Sequence, residues 1–215
     1  MIVFVLIAVI ILVILLRPKY KEPRVIKNVF TREQCERIIQ MASKRLEPST
    51  VSWGMEVDND IRKSETSWLS PYKSPLVRHI MDECVSMTDR PFKNSEHLQV
   101  LKYKPGGFYS LHHDAFENEK NPRVFTAIIA LNDNYTGGGT EFPNLNKVYK
   151  LNQGDVLLFN TLNDWGLHTE KALHAGMPVK SGEKWICNLW IHRHYYNIND
   201  DDKEAEENIK KNKGV

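Results

Sequence analysis

The sequence predicts a mainly β fold with flanking helices (α+β), arranged as a small β-barrel or jelly roll. Two helical patterns come first, and about eight short strands separated by glycine-containing turns follow them. Hydrophobic residues make up 41% of the 215 residues, which is sufficient for one domain with a single core. The net charge is only +2, so we expect no nucleic-acid binding through bulk electrostatics.

The chain begins with an unbroken apolar run from Met1 to Leu16. A helix of that length spans about 24 Å, and the basic residues that follow can extend their side chains to the membrane interface. A cleaved signal peptide fits less well, because no Lys or Arg precedes the run and no small-residue cleavage site follows it. We therefore predict one transmembrane helix at residues 1–16, followed by a basic juxtamembrane linker at residues 17–24.

Two helices are predicted before the main group of strands. Thr31 to Gln34 has the form of a capping box, and the apolar residues after it recur on one helical face. Ser74 followed by Pro75 is a typical helix start, with an N-cap residue before a proline in the first turn. Residues 49–73 mix tryptophan, glycine and proline, which is typical of short strands and a long loop.

From Glu96 onwards the apolar period changes to the alternation typical of strands. Leu98, Val100 and Tyr103 predict a half-buried strand. The other main predicted strands are Arg123 to Leu131, Lys147 to Leu151, Asp155 to Phe159 and Trp185 to His192. We place the jelly-roll core at about residues 96–194 of a domain that covers residues 25–196. Residues 197–215 are predicted to be a charged, solvated tail.

A histidine and a carboxylate stand together at the end of one predicted strand. Because residues i and i+2 of a strand share a face, His112 and Asp114 point the same way and His113 points oppositely. This pair supplies two thirds of a facial triad, the donor set that suits non-haem iron(II). An ordinary polar strand end is the alternative for this pair taken alone.

The third ligand has to come from a distant part of the chain, where His168 and His174 both qualify. Lys184 favours His174, because it follows in a predicted buried strand where an unpaired lysine is costly. A ligand on one strand and a cation on the next would allow a dicarboxylate to bind the metal at one end and the lysine at the other. His168 remains the competing ligand.

These motifs together resemble the prolyl 4-hydroxylase branch of the 2-oxoglutarate- and iron(II)-dependent dioxygenases. The resemblance covers most of residues 25–195. Its main motifs are Tyr103-x-x-Gly106-x-x-Tyr109-x-x-His112-x-Asp114, Arg123-x-x-Thr126, Gly137-Gly138-x-Thr140-x-Phe142-Pro143, Gly154-Asp155-x-Leu157-x-Phe159 and His174-Ala-Gly-x-Pro178-Val179-x-x-Gly182-x-Lys184-Trp185. Several ordered motifs at these separations are far more specific than the His-x-Asp pair alone.

The resemblance implies a double-stranded β-helix, which is the jelly-roll core of that superfamily. It implies three iron(II) ligands, which are His112, Asp114 and His174. It implies no catalytic residue beyond this metal centre. It also implies a 2-oxoglutarate pocket that is lined by Tyr103 and Thr126. In this pocket Lys184 binds the far carboxylate. On the substrate side it implies a further set: Arg62, Trp68, Tyr109 and Trp190.

The implied reaction couples decarboxylation of 2-oxoglutarate, to succinate and carbon dioxide, with hydroxylation of a substrate by O2. Peptidyl proline is the implied substrate, and L-ascorbate is implied as the reductant that rescues over-oxidised iron. The region from Trp53 to Trp68 is a candidate for stacking on a proline-rich peptide, with core or lid packing as the alternative. Two other functions stay open: the same chemistry on another residue or small molecule, and a non-catalytic membrane-tethered jelly-roll module.

Two residues depart from the family pattern. The family usually has Glu where Gly139 stands, and it often has Tyr where Ala130 stands. Neither departure touches a predicted metal ligand or Lys184. They bear on loop structure and on the pocket wall, and therefore on substrate preference.

Two signals for the cellular location disagree. The resemblance favours the lumen of the endoplasmic reticulum or another endomembrane compartment. The residues after the apolar run are strongly basic: Arg17, Lys19, Lys21, Arg24 and Lys27. The positive-inside rule would keep this side in the cytoplasm. We expect a single-pass membrane protein and leave the side of the membrane open.

The three cysteines, Cys35, Cys84 and Cys187, are too few and too scattered for a disulfide scaffold or a cysteine zinc site. A bond between Cys35 and Cys84 stays open.

Overall fold

The computed structural model describes residues 17–51 and 57–196. Three sequence predictions lie outside these ranges: the transmembrane helix at residues 1–16, the role of Trp53 and the charged tail at residues 197–215. Within the two described ranges, none of the helices combines the length and the apolar character needed to cross a bilayer.

The described residues contain two α-helices, α1 (Arg32–Ala42) and α2 (Pro75–Ser86). The side chain of Thr31 accepts a hydrogen bond from the backbone N–H of Gln34, and the side chain of Gln34 accepts one from the backbone N–H of Thr31. At the start of α2 the side chain of Ser74 accepts a hydrogen bond from the backbone N–H of Val77, and Pro75 occupies the first turn. Both predicted helix starts are confirmed, because each capping residue satisfies a backbone donor that the helix leaves free.

The strands, in chain order, are β1 (Arg24–Ile26), β2 (Glu47–Pro48), β3 (Arg62–Lys63), β4 (Glu65–Leu69), β5 (Leu98–Tyr103), β6 (Phe108–His112), β7 (Arg123–Ala130), β8 (Thr136–Gly137), β9 (Thr140–Phe142), β10 (Lys147–Tyr149), β11 (Val156–Asn160), β12 (His174–Gly176), β13 (Val179–Ser181) and β14 (Lys184–His192). Seven of them form a major sheet in the order β1-β11-β7-β14-β5-β4-β2. Five form a minor sheet in the order β10-β9-β12-β6-β3, and β8 pairs with β13. The predicted mainly β fold with few helices is confirmed.

The major sheet is covered on both faces. Along β7, Ala127 and Ile129 pack in a cluster with the residues of α1 and α2. Ile128 and Ala130, which alternate with them, pack in a second cluster with Phe142 of the minor sheet. The two sheets therefore face each other across an inner core, and the helices cover the outer face of the major sheet.

The prediction that β5 is half-buried is wrong. Leu98 and Val100 belong to the helix-facing cluster, whereas Leu101 and Tyr103 belong to the inner cluster. The strand has neighbours on both edges and cover on both faces, so the apolar alternation is replaced by almost continuous burial.

The three cysteines are free thiols in the core between the helices and the major sheet. Burial raises the pKa of Cys35 to about 11 and that of Cys84 to about 12. Thiolate is the reactive form, so these thiols are structural and unreactive at neutral pH.

Candidate metal and co-substrate site

Three metal-binding side chains meet between the two sheets. His112 ends β6 and His174 begins β12, and the antiparallel pairing of these strands places the two histidines directly opposite each other. The Nε2 atoms of His112 and His174 each lie 3.6 Å from an oxygen of Asp114. One ligand atom from each residue lies within 4.8 Å of the others. The structure therefore brings together the three ligands predicted from the sequence.

Backbone carbonyls fix the orientation of both imidazole rings. Nδ1 of His112 lies 2.8 Å from the carbonyl oxygen of Ser110, and Nδ1 of His174 lies 3.0 Å from that of Ala172. A carbonyl oxygen only accepts hydrogen bonds, so each Nδ1 carries the proton and each Nε2 lone pair is left for a metal.

Asp114 is held as a carboxylate despite its burial. Burial alone would raise the pKa of Asp114, but the neighbouring His174 and His112 rings hold it well below its usual range. The hydroxyl of Thr126 donates a 2.6 Å hydrogen bond to Oδ2 of Asp114. Burial also lowers the pKa of His174 to about 4, so this ring is neutral at physiological pH. Anionic carboxylate and neutral imidazole are the forms that bind a metal.

Aromatic rings enclose the two histidines. Tyr109 stacks on His112 with ring centroids 3.7 Å apart. Phe142 stacks on His174 with ring centroids 5.3 Å apart, and Phe159 meets the same ring edge-on with centroids 4.9 Å apart. These contacts fix the planes of the imidazole rings.

Lys184 lies on the inner face of the major sheet as the first residue of β14, opposite Tyr103 of β5. The side chain is 4% exposed, and no carboxylate of the described residues pairs with it. Its Nζ lies 5.3 Å from the centre of the Tyr103 ring. Burial lowers the pKa of Lys184 to about 8. A buried ammonium without a counter-ion is costly, so the arrangement favours binding of an anion.

Gly138 packs against the stem of Lys184. The residue has a φ of +64°, and a Cβ added there would lie 3.2 Å from Cδ of Lys184. Both the backbone conformation and the close approach favour glycine at this position.

The substrate-side residues form two pairs, one cation–π contact and one tilted aromatic contact. The guanidinium of Arg62 lies over the Tyr109 ring at 4.6 Å, which connects Arg62 to the His112 stack. Trp68 and Trp190 lie with ring centroids 6.1 Å apart. Trp190 is buried while Trp68 is 46% exposed, so this pair runs from the inner face of the sheet to the surface.

Sequence reasoning missed two further features of this inner face. Arg123 lies 3.8 Å over the Trp190 ring and forms an ion pair with the buried Glu96, which also contacts His192. Oδ1 of Asn188 is buried on β14 and has no hydrogen-bond partner among the described residues. The sequence does contain a signal for Asn188, because this residue is polar and lies in an apolar strand. It follows Lys184 by four positions and therefore lies on the same face of the strand.

The competing histidine does not join the triad. His168 lies 5.5 Å from His113, measured between ring centroids, and neither residue belongs to the group of three side chains that could hold a metal.

Comparison with known proteins agrees with this geometry. The sequence pattern of the 2OG-Fe(II) oxygenase superfamily matches residues 98–192. A protein of Acanthamoeba polyphaga mimivirus, named "Putative prolyl 4-hydroxylase", is 38% identical over 183 residues, covering 80% of this chain and 74% of its own length. The chain belongs to the 2OG-Fe(II) oxygenase superfamily.

Two further members of this superfamily are similar over the same region. Prolyl 4-hydroxylase 1 of Arabidopsis thaliana is 31% identical over 194 residues, covering 79% of this chain and 69% of its own length. The crystal structure of the viral collagen prolyl hydroxylase from Paramecium Bursaria Chlorella virus-1, in complex with 2OG, superposes with a TM-score of 0.63 at 28% identity. The match covers 80% of this chain and 96% of that one.

The side chains of this 2OG-Fe(II) oxygenase fit the cofactor and the co-substrate of the superfamily. Two imidazoles and one carboxylate converge as a donor set of the kind that suits iron(II) and leaves positions for other ligands. The buried Lys184, which no carboxylate of the described residues pairs with, is a group of the kind that fits a carboxylate of 2-oxoglutarate.

The departure at Gly139 has a structural counterpart in this oxygenase. A Cβ added to Gly139 would lie only 2.7 Å from Cγ1 of Val148 on β10. The valine therefore occupies the space that a larger side chain at position 139 would need, and the two residues are matched to each other.

Proposed function

We propose that the protein is a membrane-anchored peptidyl-proline 4-hydroxylase that converts 2-oxoglutarate to succinate and carbon dioxide. The convergence of His112, Asp114 and His174 on one point, with a buried and unpaired Lys184 on the facing sheet, is the observation that carries this proposal. The relatives named as prolyl 4-hydroxylases support proline as the substrate residue.

The residues of the chain bind, orient and shield the reactants. Iron(II), when bound, supplies the activation of O2 and the oxidation of the substrate carbon. Thr126 holds the Asp114 carboxylate in one orientation through its hydrogen bond, and Lys184 attracts the far carboxylate of 2-oxoglutarate. Phe142 and Phe159 close the wall behind His174, which excludes bulk water from the reacting groups.

The paired tryptophans provide a surface for an extended peptide. Trp68 is partly exposed beside Trp190, and proline rings pack well on aromatic faces.

Residues 25–196 form the catalytic domain in this proposal, and residues 1–16 attach it to an endomembrane, such as that of the endoplasmic reticulum. L-Ascorbate keeps the iron in its reduced state. The attachment is proposed from the apolar run and the basic linker in the sequence.

The proposal is tested by incubating the full chain with iron(II), 2-oxoglutarate, ascorbate and a proline-rich peptide. A matched peptide in which alanine replaces every proline is the control. We expect mass spectrometry to find one added oxygen atom on a proline of the first peptide only, together with succinate. The His174→Ala variant should produce neither.

Hydroxylation of a residue other than proline would contradict the proposed substrate but would leave the proposed reaction class unchanged. Absence of succinate from an iron-loaded, folded protein across a panel of proline peptides would overturn the prolyl assignment.

A further inference from the structure

A short loop between β11 and β12 presents two large apolar side chains to solvent. Trp165 and Leu167 are 55% and 56% exposed. Their backbone N–H groups both donate hydrogen bonds to Oδ1 of Asn163, each at 3.0 Å. The loop is therefore a tight turn with a fixed backbone, and both apolar side chains stay at the surface.

Arg193 holds the turn from another side. It donates a 3.0 Å hydrogen bond to the carbonyl oxygen of Gly166. Gly166 has a φ of +71°, and a Cβ there would lie 2.6 Å from the guanidinium of Arg193. The fold thus fixes a turn that exposes a tryptophan and a leucine, which in a soluble protein is a costly pair to leave in water.

The same turn is bound to the first described residues of the chain. The backbone N–H of Lys19 donates to Oδ1 of Asp164 at 2.7 Å, and the backbone N–H of Asp164 donates to the carbonyl oxygen of Lys19 at 2.9 Å. Lys19 follows Leu16, the last residue of the apolar run, by three positions. Three residues span at most about 11 Å, so a bilayer that takes up the run lies close to the turn.

The linker beside the turn carries positive charge at the surface. Arg17, Lys19 and Lys21 are all exposed. Cationic side chains next to a membrane are attracted to anionic headgroups, and tryptophan favours the boundary between headgroups and acyl chains. An exposed Trp-Leu turn beside a basic segment therefore combines both features of a membrane-interface contact.

We propose that Trp165 and Leu167, together with Arg17, Lys19 and Lys21, dock the catalytic domain on an anionic phospholipid bilayer. This docking surface rests on the proposed attachment through residues 1–16 and adds a second contact, which fixes how the domain sits on the membrane.

The test uses the full chain in vesicles of phosphatidylcholine and phosphatidylserine that carry brominated acyl chains, which quench tryptophan fluorescence on contact. We expect Trp165→Phe to lose most of the quenching seen with the unchanged chain. Trp68→Phe, which removes another half-exposed tryptophan, should keep it. Trp165→Phe should also retain 2-oxoglutarate turnover, which shows that it folds.

Equal quenching in Trp165→Phe and the unchanged chain, with both proteins floating with the vesicles, would overturn the docking surface and leave the attachment intact. Failure of the full chain to float with vesicles would instead overturn the attachment. A change in Trp165 emission on adding a proline-rich peptide, without a change on adding vesicles, would identify the turn as a peptide contact and also overturn the proposal.

Discussion

At the scale of single residues, the geometry of the metal site depends on the hydrogen bonds that orient each ligand side chain. Alanine in place of His112, Asp114 or His174 removes one of three donors, so we expect loss of iron binding and of turnover. Iron content and succinate production measure this, and thermal unfolding checks that each variant folds. His168→Ala is the matched control and should keep both iron and turnover. Loss of iron in that control would contradict the assignment of His174.

The hydroxyl of Thr126 is expected to affect iron affinity without being a ligand. Thr126→Val keeps the shape of the side chain and removes the hydrogen bond to Asp114. Such outer partners of metal ligands typically change metal affinity by about 10- to 100-fold. Competition with a chelator measures the effect. An unchanged affinity would show that the bond does not orient the carboxylate.

Lys184→Ala should raise the 2-oxoglutarate requirement sharply. The variant removes the buried cation, and a loss of about 1.4 kcal/mol already corresponds to a tenfold change. Truncating one partner of a buried charge pair costs more than that, so we expect an increase of at least about tenfold. The KM for 2-oxoglutarate measures it, and an unchanged KM would remove Lys184 from the pocket.

The 2-oxoglutarate requirement should also depend on pH. Burial lowers the pKa of Lys184 to about 8, so the ammonium that attracts the carboxylate is lost as the pH rises through that value. The KM for 2-oxoglutarate should therefore be low below pH 8 and increase above it. Lys184→Arg stays charged at every pH used and should flatten the increase. An identical pH profile in this variant would contradict the role of the lysine charge.

At the scale of elements, the start of α1 gives a prediction about stability that does not involve the catalysed reaction. Thr31→Ala removes the side-chain acceptor for the N–H of Gln34, which should lower the free energy of unfolding by about 1 kcal/mol. Denaturant unfolding measures this, and turnover should not change. A loss of turnover at unchanged stability would contradict a purely structural role for the cap.

The sequence predicts some elements better than others for physical reasons. The helix starts at Thr31 and Ser74 follow from local hydrogen bonding, which a short stretch of sequence contains completely. Strands of two or three residues, such as β8 and β12, are too short to show a period. The double burial of β5 depends on elements far away in sequence, so local alternation could not reveal it.

The site residues also differ in how well the sequence predicts them. The ligands His112, Asp114 and His174 were predictable because their spacing is that of a known motif set. The hydrogen bond from Thr126 to Asp114 and the placement of Asn188 depend on side-chain directions between strands. Only the assembled sheets determine those directions.

At the scale of the whole molecule, chemistry and location should be separable. We expect a chain that lacks residues 1–16 to keep 2-oxoglutarate turnover, because every proposed site residue lies between Arg62 and Trp190. The same chain should lose its association with vesicles of neutral phosphatidylcholine in a flotation assay, because the basic residues of the docking surface attract only anionic lipid. Loss of turnover in a folded protein would contradict this separation.

The pairing of β6 with β12 makes the metal centre sensitive to how the chain folds. His112 and His174 are far apart in sequence and stand opposite each other only in one register. A slip of one residue would turn one imidazole to the other face of the sheet and remove it from the centre. Metal therefore binds only chains whose minor sheet has closed correctly, and binding stabilises that form over mispaired ones by mass action. Iron supply during synthesis would then act as a selector of the correctly paired fold.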